Sequence, residues 1–427
     1  MLDAADEADG FADFPDVREH LTELLARGEP SLEDVDWGRF RHAYGPADDV
    51  PGLLRGLYDK DAKRASDSLS TLWNSVRHQG GSSAPAALAV PFLLRAVSDP
   101  AVHNRPELLL LAAEAGHRNH FGDDRRDNLL RVENPPDELW IDVSGYPVRW
   151  TLQAARRAIA ASASQLIGLL DDPDPVLRIH AAYALATAAS PPPAVRRALG
   201  ARLDVEQDAS VRVGLVLAVT QLTIEQGGDP DLVTWTERLW TGQDNPADLR
   251  LAGALAWLCA TSAPPSQPLL DLLQAQAGAT ATGWLSRVPW PDDIDHRGGL
   301  VAWLVSFLGD ALDTQVQVIR TAIAHRERTV AVSACRAAYD VARTWRTRTD
   351  DMRDLLAGVL DHPDHDVRVV AADLLALTGA VSTPVADRVA AALGDQDPTL
   401  RALATSTLAH RGDARAVAPL ADLLTLG

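Results

Sequence analysis

One arginine, returning at a near-constant distance, constrains this chain more than anything else in it. Aligned on R-x-x-A-x-x-A-L, the ruler positions are Arg178, Arg212, Arg250, Arg297, Ala331 (arginine replaced), Arg368 and Arg401. The gaps between them are 34, 38, 47, 34, 37 and 33 residues. Three places on stands a small residue, Ala181, Gly253, Ala334, Ala371 or Ala404, with Leu215 and Leu300 as the larger exceptions. In the clearest unit, Leu169 to Ala186, a polar break of Asp171, Asp172, Pro173 and Pro175 precedes Val176, Ala181, Ala184 and Leu185 at helical spacing. Proline is tolerated in that first turn because no amide hydrogen is needed there. Each period therefore holds two helices and a short turn. One such hairpin cannot bury both its faces, so neighbours must stack into a continuous core. The expected fold is all-α, an α-solenoid (superhelix) of helical hairpins.

The pattern L-x-D-x-D-P-x-V-R-x-x-A-x-x-A-L is plainest at 171–185, 361–375 and 394–408. It resembles the HEAT-like repeats of bacterial proteins, of the phycobilisome-lyase type. The resemblance covers 165–427 well and the N-terminal part more loosely, where HQG (78–80) and PFLL (91–94) recur in HEAT-like proteins of unassigned function. It implies a ladder in which a turn aspartate and a second-helix arginine bond neighbouring repeats. Asp172 with Arg178, Asp361 with Arg368, and Asp395 with Arg401 would be its members, with Arg212 and Arg250 on the same ruler and a break at Ala331. It also implies that the second helix of each hairpin lines a concave groove. Such repeats serve scaffolds, inhibitors and a few enzymes, so the motif speaks to fold far more than to function.

The chain has 427 residues, and a solenoid accommodates that length by adding units. Residues 1–14 are acidic and without periodicity, the pattern of a disordered segment. They lack the basic start and apolar stretch of a secretory signal. Helical hairpins are expected over 15–116, an inserted loop over 117–147, and HEAT-like repeats over 148–427, continuous with the N-terminal hairpins as one solenoid. Pro15 to Ala26 reads as a helix, and SLED (31–34) has the form of a capping box. No run approaches the ~18–20 apolar residues of a membrane span. Cys259 and Cys335 sit inside apolar helical patterns, as small core residues of a reducing cytoplasm do. The formal net charge of −19 opposes binding to nucleic acid, whose affinity comes from basic side chains on phosphates. All but two of the 40 basic residues are arginine, the usage of a GC-rich bacterial genome.

Candidate chemistry is thinner. His117, His120, Asp123 and Asp124 are metal-ligand types, but they fall in a polar loop and no further ligand is fixed by spacing. No metal and no cofactor is expected, and no catalytic set is assignable. The groove stripe, two, five and nine places after the ruler, begins His180, Tyr183, Thr187, then Gly214, Leu217, Gln221, then Ala252, Leu255, Cys259. Its later part includes Ser333, Arg336, Asp340, then Val370, Asp373, Leu377, then Leu403, Ser406, His410. An apolar floor with a polar rim suits a docked helix or peptide, and small residues equally suit close helix packing. Arg336, Asp340 and Arg343 share a helical face in the one basic region, 320–353, where arginine could meet a partner's anion or simply pair with aspartate. The 47-residue gap is filled by 279–299, a loop with Trp284, Trp290, Asp292, Asp293 and His296. Loops that break a repeat's period often belong to a binding site.

The function these features point to is a non-catalytic cytoplasmic scaffold holding a protein or peptide partner in its groove, away from membranes. The alternative is an enzyme or ligand-binding protein using the same groove. Alkylpurine-DNA-glycosylase-like action would use tryptophan, carboxylate and arginine there, although the acidity opposes DNA. Bilin-lyase-like chemistry rests on the repeat resemblance alone.

Overall fold

The computed structural model describes residues 14–118, 126–133, 140–277, 287–290 and 299–425. Within them the chain is an all-α solenoid of stacked hairpins, divided by its contacts into two compact units. The expected disorder of 1–14 falls outside the described residues except for Phe14.

The first unit opens with α1 (Val17–Ala26), α2 (Val50–Gly56), α3 (Ala62–Val76), α4 (Ala84–Ser98) and α5 (Arg105–Glu114). It continues with α6 (Val148–Ala161), α7 (Ala163–Leu169), α8 (Pro175–Thr187) and α9 (Pro193–Val205). It ends with α10 (Ala209–Glu225), α11 (Pro230–Thr241) and α12 (Ala247–Ala260). Asp16 caps α1 by accepting from the Arg18 amide at 2.8 Å, and SLED forms a capping box on a single 3-10 turn. Helix α4 is buried almost all round and packs on α1, α2, α5 and α6, as an apolar run without a polar face must. From there α5, α8, α10 and α12 pack against one another in turn, each the second helix of its hairpin.

Two tiny antiparallel ribbons, absent from the expected all-helical pattern, join the first hairpins. β1 (Arg41–His42) pairs β2 (Gly45–Pro46), and β3 (Arg77–His78) pairs β4 (Gly81–Ser82). The HQG motif is the second ribbon's turn: Gln79 and Gly80 both take positive φ, 49° and 79°. A two-residue turn of that hand matches strand twist, and glycine makes it cheap.

The second unit holds α13 (Gln267–Ala277), α14 (Leu300–Ser306), α15 (Leu312–Ile323), α16 (Arg328–Thr344) and α17 (Thr349–Ala357). It ends with α18 (His365–Leu377), α19 (Thr383–Ala391), α20 (Pro398–Arg411) and α21 (Val417–Thr425). Here α16, α18 and α20 pack in turn as second helices, and α15, α17 and α19 form the row behind them.

The turns explain why the period is so legible. Six places before the ruler, a side chain accepts from the amide two residues on: Asp172 from Asp174, Glu206 from Asp208, and Asp395 from Asp397, each at 2.9 Å. That next residue then caps the second helix, Asp174 to the Val176 amide (2.9 Å) and Asp397 to the Thr399 amide (2.8 Å). The ruler arginine closes the turn from the other side, Arg178 donating to the Asp172 carbonyl at 2.8 Å and Arg401 to the Asp395 carbonyl at 2.8 Å.

This corrects the ladder expected from the family in three respects. Asp172 and Asp395 meet their arginines through carbonyl oxygens of the turn, and Arg212 likewise donates to the Gln207 carbonyl at 2.7 Å. Asp361 is exposed and one place out of register; His362 holds the turn, its Nδ1 accepting from Asp364 at 3.1 Å and its carbonyl accepting from Arg368 at 2.9 Å. The rungs between repeats run to a carboxylate of the next turn or helix start: Arg105–Asp172 (3.3 Å), Arg178–Glu206 (2.9 Å) and Arg212–Asp248 (2.9 Å). In the second unit the rungs are Arg328–Asp366 and His365–Asp397 (3.0 Å). The break expected at Ala331 is thus bridged by Arg328, one turn earlier. Arg250 instead donates to the Trp240 carbonyl at 3.2 Å.

The small position after the ruler is set by contact. A Cβ on Gly253 would stand 2.6 Å from the Leu239 Cβ and 3.0 Å from the Trp240 nitrogen, both on α11. Neither can swing aside. Gly253→Ala is therefore expected to destabilise the first unit by about 1–3 kcal/mol despite alanine's better helix propensity, read by urea unfolding.

Candidate functional site

The stripe that should face the groove behaves differently in the two units. In the first, His180, Tyr183 and Thr187 on α8, Gly214, Leu217 and Gln221 on α10, and Ala252, Leu255 and Cys259 on α12 are all buried. Trp290 accounts for part of this burial. Its Nε1–H donates to Gln221 Oε1 at 2.7 Å, and its ring meets Tyr183 edge-on with centroids 4.9 Å apart. Gly214 lies beneath it, where a Cβ would stand 3.5 Å from the indole.

The 117–147 insertion supplies more cover. His117 stacks on Tyr183, centroids 5.2 Å apart and planes 26° from parallel. The Arg118 amide donates to the Val132 carbonyl (3.0 Å), and the Val132 amide donates to Glu225 Oε1 at the end of α10 (3.1 Å). Arg156 binds the Thr187 carbonyl (2.9 Å), Glu225 (3.0 Å) and Glu133. The described parts of the two period-breaking stretches thus cover the stripe on α8 and α10.

Beneath this cover lies a buried polar chain. Tyr183, 1% exposed, donates its hydroxyl to Glu114 Oε1 at 2.6 Å. Glu114 is fully buried and ion-paired with Arg77. Arg77 also donates to the Glu114 carbonyl (3.1 Å) and to Ser82 Oγ (3.2 Å). Sequence reasoning missed Arg77 and Glu114, and placed Gln221 on the stripe without foreseeing that Trp290 would cover it; a glutamate closing the apolar run RPELLLLAAE was the available signal. His180 is buried, with Nδ1 2.7 Å from the Pro106 carbonyl. Burial pushes its pKa below the ordinary histidine value, and that hydrogen bond only partly offsets it. An uncharged imidazole donating to a carbonyl is a packing group here. Tyr183 and His180 are therefore interior residues, contrary to the groove-lining role expected of them.

In the second unit the stripe opens. Ser333 is buried and accepts from the Val301 amide at 2.8 Å at the start of α14. Arg336 and Asp340 are half-buried on α16, and Arg343 is exposed, 3.8 Å from Asp340. On α18 and α20, Val370, Leu403 and Ser406 are half-buried, while Asp373, Leu377 and His410 are exposed. Leu377, at 60%, is among the most exposed large apolar side chains described. Three other arginines of 320–353 pair with aspartates: Arg328 with Asp366, Arg348 with Asp313 and Asp351, and Arg353 with Asp350. Trp284, Asp292, Asp293 and His296 lie outside the described residues. So do the Arg297 ruler position and His120, Asp123 and Asp124.

Among the described residues no group of three or more His, Cys, Asp or Glu could hold a metal ion, and no helix is long and apolar enough to cross a membrane. Cys259 and Cys335 are buried, and burial pushes the Cys335 thiol up to about 12. Residues 352–426, the stretch from α17 to α21, match the family model described as HEAT repeats. These C-terminal hairpins are HEAT-like. The HEAT-like solenoid thus has its open stripe partly within the matched region. No curated protein matches the chain. Among solved structures it is similar to an engineered protein from the Northeast Structural Genomics Consortium, at 16% identity, with 86% of this chain and 99% of that one covered. The TM-score of that pair is 0.30, too low for the likeness to carry an argument.

Proposed function

We propose that this chain is a non-catalytic scaffold that holds a protein or peptide partner along the α16–α18–α20 row of its second unit. The exposure of Leu377 at a stripe position carries the reading. The corresponding side chains of the first unit are buried, those of α8 and α10 partly by His117 and Trp290, whereas here a large apolar group stands in water. Val370, Leu377 and Leu403 are the apolar stripe residues of α18 and α20, with Arg343 and Asp340 on the neighbouring α16 and His410 further along α20. Such a row suits an amphipathic helix or extended segment, whose anchors meet the apolar residues while its polar side meets the charged ones. HEAT repeats generally mediate protein interactions, which agrees. A cytoplasmic setting in a bacterium, and repeats of the phycobilisome-lyase type, belong to the same proposal. The glycosylase-like alternative draws little support, because a formal net charge of −19 opposes binding to phosphates.

Neighbouring genes supply the first partners to try. With a partner in hand, Leu377→Glu combined with Arg343→Glu is expected to weaken binding by about thirty-fold or more in calorimetry. Both side chains are exposed, so the unfolding midpoint should stay close to the parent's. Unchanged affinity would remove the row from the interface.

A further inference from the structure

Nine large apolar side chains stand well exposed among the described residues, and three of them crowd into four positions. They are Trp140, Ile141 and Val143, at 40%, 56% and 69% exposure. A cluster this dense is unlike the scattered exposed aliphatics that any surface carries.

The backbone beneath them is firmly built. Ile141 bridges Pro147 antiparallel, the Val148 amide donates to the Trp140 carbonyl at 3.0 Å, and the Asp142 amide donates to the Tyr146 carbonyl at 2.9 Å. At the tip, Asp142 Oδ1 accepts from the Ser144 amide (2.7 Å), the Ser144 hydroxyl (2.6 Å) and the Tyr146 amide (3.0 Å). Gly145, with φ of 84°, lets the turn close. Tyr146 roots the hairpin in the core. Its hydroxyl donates to the Pro15 carbonyl (2.8 Å) and accepts from the Val17 amide (3.0 Å). Its ring meets Phe14 and Trp150 edge-on at 5.6 and 5.8 Å.

A segment that merely joined α5 to α6 would have no reason to order its tip around a carboxylate while holding Ile141 and Val143 in water. Order without burial is the property of a docking element, because the conformational cost of binding has already been met. We propose that the 140–147 hairpin is a finger that inserts Ile141 and Val143, beside Trp140, into an apolar groove with a basic rim on a protein partner. Charge decides the partner's nature. The chain carries a formal net charge of −19. That charge favours lysines and arginines around the receiving groove and opposes an anionic lipid surface. The finger is distinct from the α16–α18–α20 row, so the two interfaces stand or fall separately.

A photo-cross-linking phenylalanine derivative placed at Val143 of the full chain, in its host cell, reports the occupant. The expected result is an adduct with one other protein, mapped to a peptide combining apolar residues with lysine or arginine. The purified pair should then lose affinity by about thirty-fold or more with Ile141→Asp, while Val205→Asp, on an exposed residue of α9, changes nothing. Ile141 is exposed, and circular dichroism of the variant checks that it folds. Adducts confined to residues 1–13, adducts to a second copy of the chain, or no adduct at all would overturn the proposal. So would binding indifferent to Ile141→Asp, or a cross-linked peptide without basic residues. Co-sedimentation of the parent with phosphatidylcholine–phosphatidylglycerol vesicles, abolished by Ile141→Asp, would replace the protein partner with a membrane.

Discussion

Replacing Glu206 with alanine is expected to lower the unfolding free energy of the first unit by about 3–5 kcal/mol, one of the two largest single-residue effects anticipated here. Glu206 is only 4% exposed, yet it carries a charge. Its Oε1 accepts from the Gln207 and Asp208 amides at 2.9 Å each and from Arg178 at 3.1 Å. Its Oε2 accepts from Arg178 at 2.9 Å and from Arg202 at 2.7 Å. The carboxylate thus builds the turn before α10, forms the rung from the preceding repeat, and ties down α9. Alanine leaves two guanidinium groups and two turn amides without that acceptor. Denaturant unfolding followed by circular dichroism measures the loss, and a change below about 1 kcal/mol would mean that the rung is ornamental.

The same carboxylate gives the first unit an acid-sensitive element. Burial alone would raise its pKa; the Asp208 amide, Arg178 and Arg202 outweigh that and hold it at about 2, against 4.5 unperturbed. A depressed folded value means the stabilisation is complete above about 4.5 and drains away as pH falls toward 2. The amount at stake is on the order of 3 kcal/mol. Parent and Glu206→Gln should accordingly converge in stability as the pH is lowered through that window.

The stacked hairpins were legible because the signal is local and repeated. An aspartate turn, a proline in the first helical turn and an arginine six places on each act within one period, so the chain states them again and again. The ladder's register was not legible. Asp361 and His362 sit side by side, and both look like turn residues. Only the amide that His362 Nδ1 accepts, that of Asp364, shows which one holds the position. Nor could Ala331 reveal that Arg328, one turn earlier, reaches Asp366. The stripe failed for a different reason. Spacing says which face of a helix a residue occupies, and it is silent on what a distant segment does to that face. Tyr183 is covered by His117 and Trp290, separated from it by 66 and 107 residues, and no period links the three.

That covered face holds the second large effect. Glu114→Met is expected to destabilise the first unit by about 3–5 kcal/mol, because it strands Arg77 in the interior. Arg77 is 8% exposed and Glu114 not at all. Without the carboxylate, the guanidinium keeps Ser82 Oγ and the residue-114 carbonyl as acceptors, neither of which carries a charge. Tyr183 loses the acceptor for its hydroxyl in the same step. Tyr183→Phe alone should cost only about 1 kcal/mol, since it removes a neutral donor and leaves the ion pair intact. The informative comparison is the pair Arg77→Met with Glu114→Met. A buried ion pair gains from its Coulombic attraction roughly what it loses in desolvation, so replacing both members should leave the unit more stable than Glu114→Met alone. Thermal unfolding of the four proteins in that cycle supplies the coupling energy. Additive losses from the two single substitutions would mean that Arg77 and Glu114 are held by the surrounding fold rather than by each other.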